Sequence, residues 1–246
     1  MSLFKVLMAI LFSLFAPEAF AQNSINAPGI SVSLGQGVDL VNTIELLILF
    51  TVLTLAPAII ILCTSFTRII VVLSFMRQAI GTQSMPPNQL LVGFALFLSV
   101  FVMMPTGKNI YYNAVQPYMG KKMDAGGALT VMEKELRTFM TKHIRKMDIK
   151  LFYDVTSDKL PDNIDDVPFY YLVPSFIISE LKTAFQIGFL LYIPFLILDM
   201  VVASVLMAMG MMMLPPVIVS MPFKLLLFVL VDGWQIVTGA LLRSFG

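Results

Sequence analysis

The sequence predicts an all-α integral membrane protein: two apolar helical hairpins with a mainly helical polar segment between them. Three observations lead to that fold class. Hydrophobic residues make up 58% of the 246 positions and charged residues only 13%, about half of the roughly 25% a soluble domain carries. Mean hydropathy is +0.88. The charges are also segregated, since eleven Lys/Arg and ten Asp/Glu fall between Lys108 and Lys182, leaving long apolar runs on either side. A net charge of +1 gives no footprint for nucleic acid.

The first element is residues 1–21. Lys5, the apolar run Val6–Phe15 and Ala19-Phe20-Ala21 before Gln22 have the layout of a cleavable secretory signal, with cleavage between Ala21 and Gln22. The apolar core is too short for a membrane helix, ~15 Å at helical rise. Residues 22–44 form a polar tail rich in Asn, Ser and Gly, without sustained period.

Residues 45–105 form the first hairpin. Leu46–Met76 is apolar apart from Pro57 and Arg68, Gln78–Asn88 is a turn containing Gly81 and Pro86-Pro87, and Leu90–Met104 is the second arm, closed by Pro105. That arm amounts to only ~22 Å of helix, short for a hydrocarbon core of ~30 Å. Arg68 is expected to snorkel to the membrane edge. With Arg77 it marks the first bend as cytoplasmic, so the polar segment returns to the outer side with the mature N-terminus.

Residues 106–184 are the polar segment. Leu129, Met132, Leu136, Phe139, Met140, Ile144 and Met147 recur at helical spacing, predicting one amphipathic helix, with Thr130 and Glu133 as a capping box near its start. Asp154–Asp166 is loop chemistry. Residues 185–246 form the second hairpin, with arms Phe185–Leu206 and Val217–Leu242. The bend Met207–Pro216 holds five methionines among the seven residues Met207–Met213. Methionine is unbranched and polarizable, suited to repacking around changing partners. The bend is therefore either an apolar loop dipping into lipid or a deformable seal around a pore.

Charges inside apolar runs need partners, because a bare charge near the bilayer centre costs at least ~2.5 kcal/mol. Asp199 with Lys224 across the second hairpin is the expected pair, and Glu180 with Lys224 of a neighbouring copy the alternative. Asp232, two turns from Lys224, shares nearly the same face.

Chemistry is not encoded in any recognisable constellation. The only histidine, His143, is expected on a solvated face beside Lys142, Arg145 and Lys146, so no nucleophile has a base. Cys63, the single cysteine, reads as packing and leaves no thiolate cluster for metal. Gly107-Lys108 lacks the rest of a phosphate loop. No enzyme activity and no cofactor are expected.

Several blocks resemble the FliP family: VPSFIISELKTAFQIGF (Val173–Phe189), Asp199–Ser204 continuing through Met209–Pro216, and Leu225–Gln235 after Pro222-Phe223-Lys224. In the first hairpin, Thr67-Arg68-Ile69 and Gln83–Gln89 agree as well. The likeness covers about residues 45–245. It implies a core subunit of the flagellar type III protein export gate in the bacterial inner membrane and flagellar basal body, with a large part on the periplasmic side. Copies of the chain, a pentamer being expected, would assemble with FliQ, FliR and other export-apparatus subunits into a channel for unfolded flagellar proteins. Met209, Met211, Met212 and Met213 would form its gasket. The signal and tail favour the flagellar branch over the virulence-secretion relatives. The alternative is a small-molecule or ion transporter subunit, which needs polar groups converging at the midplane on broken helices.

Overall fold

A computed structural model describes residues 40–82, 85–211 and 213–246; the expected signal, its cleavage site at Ala21–Gln22 and most of the polar tail lie outside the described residues. The chain divides into two units, residues 1–50 and 51–246. The described part of the first unit, 40–50, is helical.

The described residues are helical with no strand. Helix α1 is Leu40–Leu62, α2 Phe66–Ile80 and α3 Asn88–Ile110. A π-helical turn, Tyr111–Val115, leads into α4, Gln116–Met119. The polar segment continues with α5, Ala125–His143, and α6, Lys146–Thr156, then a 3-10 turn at Ile164–Asp166. Helix α7 is Phe169–Ala208, α8 Pro216–Leu230 and α9 Gly233–Arg243.

Among the described residues, two continuous helical stretches are long and apolar enough to cross a membrane: Asn88–Met119, 32 residues, and Phe169–Ala208, 40 residues. Two bent helix pairs qualify only if each counts as one span, among them α8 and α9, bent by 65°. The second arm of the first hairpin was expected to stop at Pro105. The helix instead passes through it, as α7 passes through Pro174 and Pro194. Each proline removes one backbone bond. Ending the helix in apolar surroundings would strand more polar groups than that.

Helix α2 is the centre of the larger core. Ile69, Val72, Leu73 and Met76 are buried along one side and pack with Leu91 and Ala95 of α3, Ala184 and Phe195 of α7, Phe228 of α8 and Leu241 of α9. Burial of such side chains stabilises by roughly 1.5–3 kcal/mol each. A close approach of α2 and α7 is permitted by Gly188, where a Cβ would stand 2.7 Å from the Phe75 ring. The turn after α2 is closed by Gly81 at φ 90°, whose N–H meets the Gln78 carbonyl; the left-handed conformation costs glycine little.

A second core joins the polar segment to α7 through Phe139, Met140, Ile144, Ile149 and Tyr153 against Leu172 and Phe176. The expected single amphipathic helix is two helices. Ile144 is extended, at φ −83° and ψ 144°, and the Arg145 N–H leaves the helical ladder to meet Ser179 Oγ at 3.1 Å. The N-cap also differs. Asp124 accepts from the Gly127 N–H at 3.1 Å, while Thr130 Oγ1 donates back to the Gly126 carbonyl.

Candidate functional site

Helix α7 ends in the methionine turn. The Gly210 N–H reaches the Met207 carbonyl at 3.0 Å and the Met211 N–H reaches Leu206 at 2.9 Å, a paired closure that demands a left-handed residue at the glycine. Gly210 supplies it at φ +75°. Pro215 and Pro216 then fix the entry to α8. Met209 is 64% exposed, Met211 45% and Met213 98%; Met212 lies outside the described residues. The turn thus presents flexible thioether side chains at the end of the hairpin, with Met213 almost fully exposed.

Below that turn, α7 and α8 are joined by a polar cluster. Lys224 Nζ lies 2.7 Å from Asp199 Oδ2, and Ser220 Oγ donates to Asp199 Oδ1. Lys224 is 1% exposed, so its ammonium depends on this carboxylate. A Cβ at Gly81 would stand 4.0 Å from the same Nζ, which puts the cation at the C-terminal, partly negative end of α2. Asp232, expected near Lys224, is exposed and has no side-chain partner among the described residues. It occupies the break between α8 and α9 at φ 54°, so the helical register linking it to Lys224 is lost.

Glu180 meets Arg68, and this corrects the expectation that Arg68 snorkels. Arg68 Nε donates to Glu180 Oε2 at 2.7 Å and Nη2 to Oε1 at 2.5 Å, a bidentate pair. Nη1 donates to the Ser244 carbonyl at 2.7 Å and to Ser244 Oγ at 3.0 Å. The guanidinium lies 3.8 Å from the centroid of the Phe245 ring. Arg68 is 3% exposed and Glu180 0%. One arginine thereby ties α2, α7 and the residues after α9. Two opposite charges, each set in an apolar run, were the signal available in the sequence.

His143 is likewise not on a solvated face. It is half-buried, 4.9 Å from the Phe139 ring and 5.4 Å from that of Phe245 between centroids. Burial, reinforced by Arg68 and Lys142, lowers its pKa to about 4. A third polar cluster was not foreseen: Ser179 Oγ donates to the buried Asp148 at 2.6 Å, and Arg145 reaches Gln186 at 2.8 Å, pinning the α5–α6 corner to α7. Cys63 is buried. Among the described residues no group of three His, Cys, Asp or Glu is placed to hold a metal.

Long apolar helices, with the buried charges Arg68, Glu180, Asp199 and Lys224 paired between them, define an all-α membrane protein. Within that class, the FliP family matches residues 49–241, which takes in both hairpins and the polar segment. The chain belongs to the FliP family. It is 55% identical over 204 residues to the flagellar biosynthetic protein FliP of Bacillus subtilis, covering 83% of this chain and 92% of the relative. The protein of the same name from Caulobacter vibrioides is 44% identical over 245 residues, 99% of this chain and 90% of its own. That from Aquifex aeolicus is 46% identical over 222 residues, 89% of this chain and 92% of its own.

Proposed function

We propose that copies of this chain assemble with FliQ and FliR into the channel of the flagellar protein export gate, closed by a methionine gasket. Membership in the FliP family makes the chain a structural, non-enzymatic component of the flagellar export apparatus, with apolar helices that suit the inner membrane. The observation that carries the finer reading is the methionine turn: Met209, Met211 and Met213 sit at the hairpin end and are largely exposed within the chain. Several such turns meeting on an axis seal a pore against ions, and their unbranched side chains part for an unfolded polypeptide. Met212 completes the set. The polar segment lies on the periplasmic side in this reading, with the signal removed after Ala21. Pro57 and Pro194 leave their helices unbroken and supply no unwound backbone for a transporter site.

The test is conductance. Replacing Met209, Met211, Met212 and Met213 with alanine in the full complex raises small-ion leakage while the complex keeps its mass. Unchanged leakage in intact complexes refutes the gasket.

A further inference from the structure

The polar segment carries two surfaces of opposite charge on opposite flanks of α5. On one flank, Asn109 and Asn113 donate to Glu135 at 3.2 and 3.4 Å, which fixes the end of α3 and the π turn against that side. On the other, Arg137 donates to the backbone carbonyls of Asp165, at 3.1 Å, and Val167, which fixes the loop after α6. Glu135 and Arg137 are roughly 200° apart around the helix, with Leu136 between them packed toward the core. The two flanks therefore face away from each other.

The first flank ends in the turn before α5. Lys121 and Lys122 are exposed there and have no ion-pair partner among the described residues, beside Tyr118 at 51% and Met119 at 74% exposure. The second flank holds residues 154–166. Asp154, Asp158, Asp162, Asp165 and Asp166 against the single Lys159 give a net charge of −4. Among the described residues, Asp158 is the one of these acids engaged through its side chain, by the Tyr171 hydroxyl. Val155 at 78% and Leu160 at 46% exposure are the apolar neighbours. Each surface thus has an apolar patch edged by charge, the composition of a protein interface.

We propose that the Lys121–Lys122 turn of one copy docks on the acidic segment 154–166 of the next, head to tail. The contact rests on the self-assembly proposed above and specifies its surfaces. Within one chain the partners are separated by the body of α5, ~18 Å from Ala125 to Arg137, so the charges stay unmatched until a second copy arrives. A ring built from one repeated contact needs complementary surfaces on different faces of the protomer, which is the arrangement of these flanks. An anionic lipid surface would satisfy the lysines and repel the acidic flank.

The full chain is expressed with its partner subunits, extracted gently from native membranes and sized. In the variant Lys121→Glu/Lys122→Glu the large species falls at least about tenfold, as expected for like charges brought together at an interface. Asp162→Lys/Asp165→Lys does the same, and the four changes combined restore it. Restoration also shows that neither pair of changes merely unfolds the chain. Wild-type abundance in either reversal, or no recovery in the combination, overturns the contact. A wild-type chain that sizes as a lone molecule instead overturns the self-assembly on which the contact rests.

Discussion

Arg68 and Glu180 are nearly inaccessible to water, and their energetics follow from that burial. Replacing Arg68 with methionine leaves a buried carboxylate without a counter-charge, a loss of about 3–5 kcal/mol. The Ser244 carbonyl and hydroxyl lose their donor as well, about 1 kcal/mol more. So does the Phe245 ring its cation, worth a similar amount. Arg68→Met should therefore cost about 5–7 kcal/mol, a large part of the 5–15 kcal/mol that holds a typical fold together. Glu180→Met should cost about 3–5 kcal/mol by stranding the guanidinium. The double variant removes both charges and fills the site with apolar volume, so it should lie closer to wild type than either single one. Denaturant unfolding in mild detergent, followed through the single tryptophan, Trp234, packed edge-on against Phe94 and Phe228, reads all four proteins. Single variants costing under about 1 kcal/mol, or a double variant whose cost equals their sum, would refute a coupled buried pair.

Gly188→Ala should lower stability by about 1–3 kcal/mol, since the new Cβ meets the Phe75 ring near its root, at 2.7 Å, where rotation gives no relief; Phe75→Leu should recover part of it in the same titration. Asp199→Asn should cost about 3 kcal/mol by leaving Lys224 without its carboxylate, the lower end of the usual range because Asp199 is 17% exposed; Lys224→Met added to Asp199→Leu should recover most of it. For His143, the folded chain holds the pKa at about 4 against an ordinary 6.5, so between those values the unfolded chain binds more protons. The stability it contributes is complete above pH 6.5 and is lost as the pH falls toward 4. In His143→Leu that part of the pH profile should flatten.

The all-α membrane class was legible because segregated apolar runs fix which stretches leave water; that the arms Leu46–Met76 and Val217–Leu242 each break into two helices was not. Both turns were marked by residues with few alternatives, Gly81 and Pro86-Pro87 in the first, Gly210 and Pro215-Pro216 in the second. What escaped was local competition. The stripe through Leu136, Phe139, Met140 and Ile144 reads as one helix because periodicity reports the buried face, and Ile144 stays buried across the break. The break itself comes from Ser179, thirty-four positions away, which takes the Arg145 N–H. Pro105 misled in the opposite sense, since a proline signals a helix end only where water can take the freed backbone. Arg68 was assigned to the membrane edge because a long cation in an apolar run has two ways to be satisfied. The partner that decided between them lies 112 residues downstream.

The location of the paired charges has a consequence for the order of assembly. Lys224 meets Asp199 and Glu180 meets Arg68 within one chain, so a single copy holds these four charges without help from a neighbour. The surfaces left for partners are then apolar faces of α3, α7 and α8 and the charged flanks of the polar segment. Lys224→Glu should accordingly fail early: its new carboxylate faces Asp199 in a water-poor hairpin, and like charges held that closely cost several kcal/mol. Limited proteolysis of membranes containing the chain alone should show the α7–α8 hairpin opened before any partner is supplied. Alanine at Met209, Met211 and Met213 should leave the same cleavage pattern as wild type, since those side chains are largely exposed within the chain. A Lys224→Glu chain that resists protease like wild type and falters only when copies associate would place the partner of Lys224 in the neighbouring subunit and reverse this order.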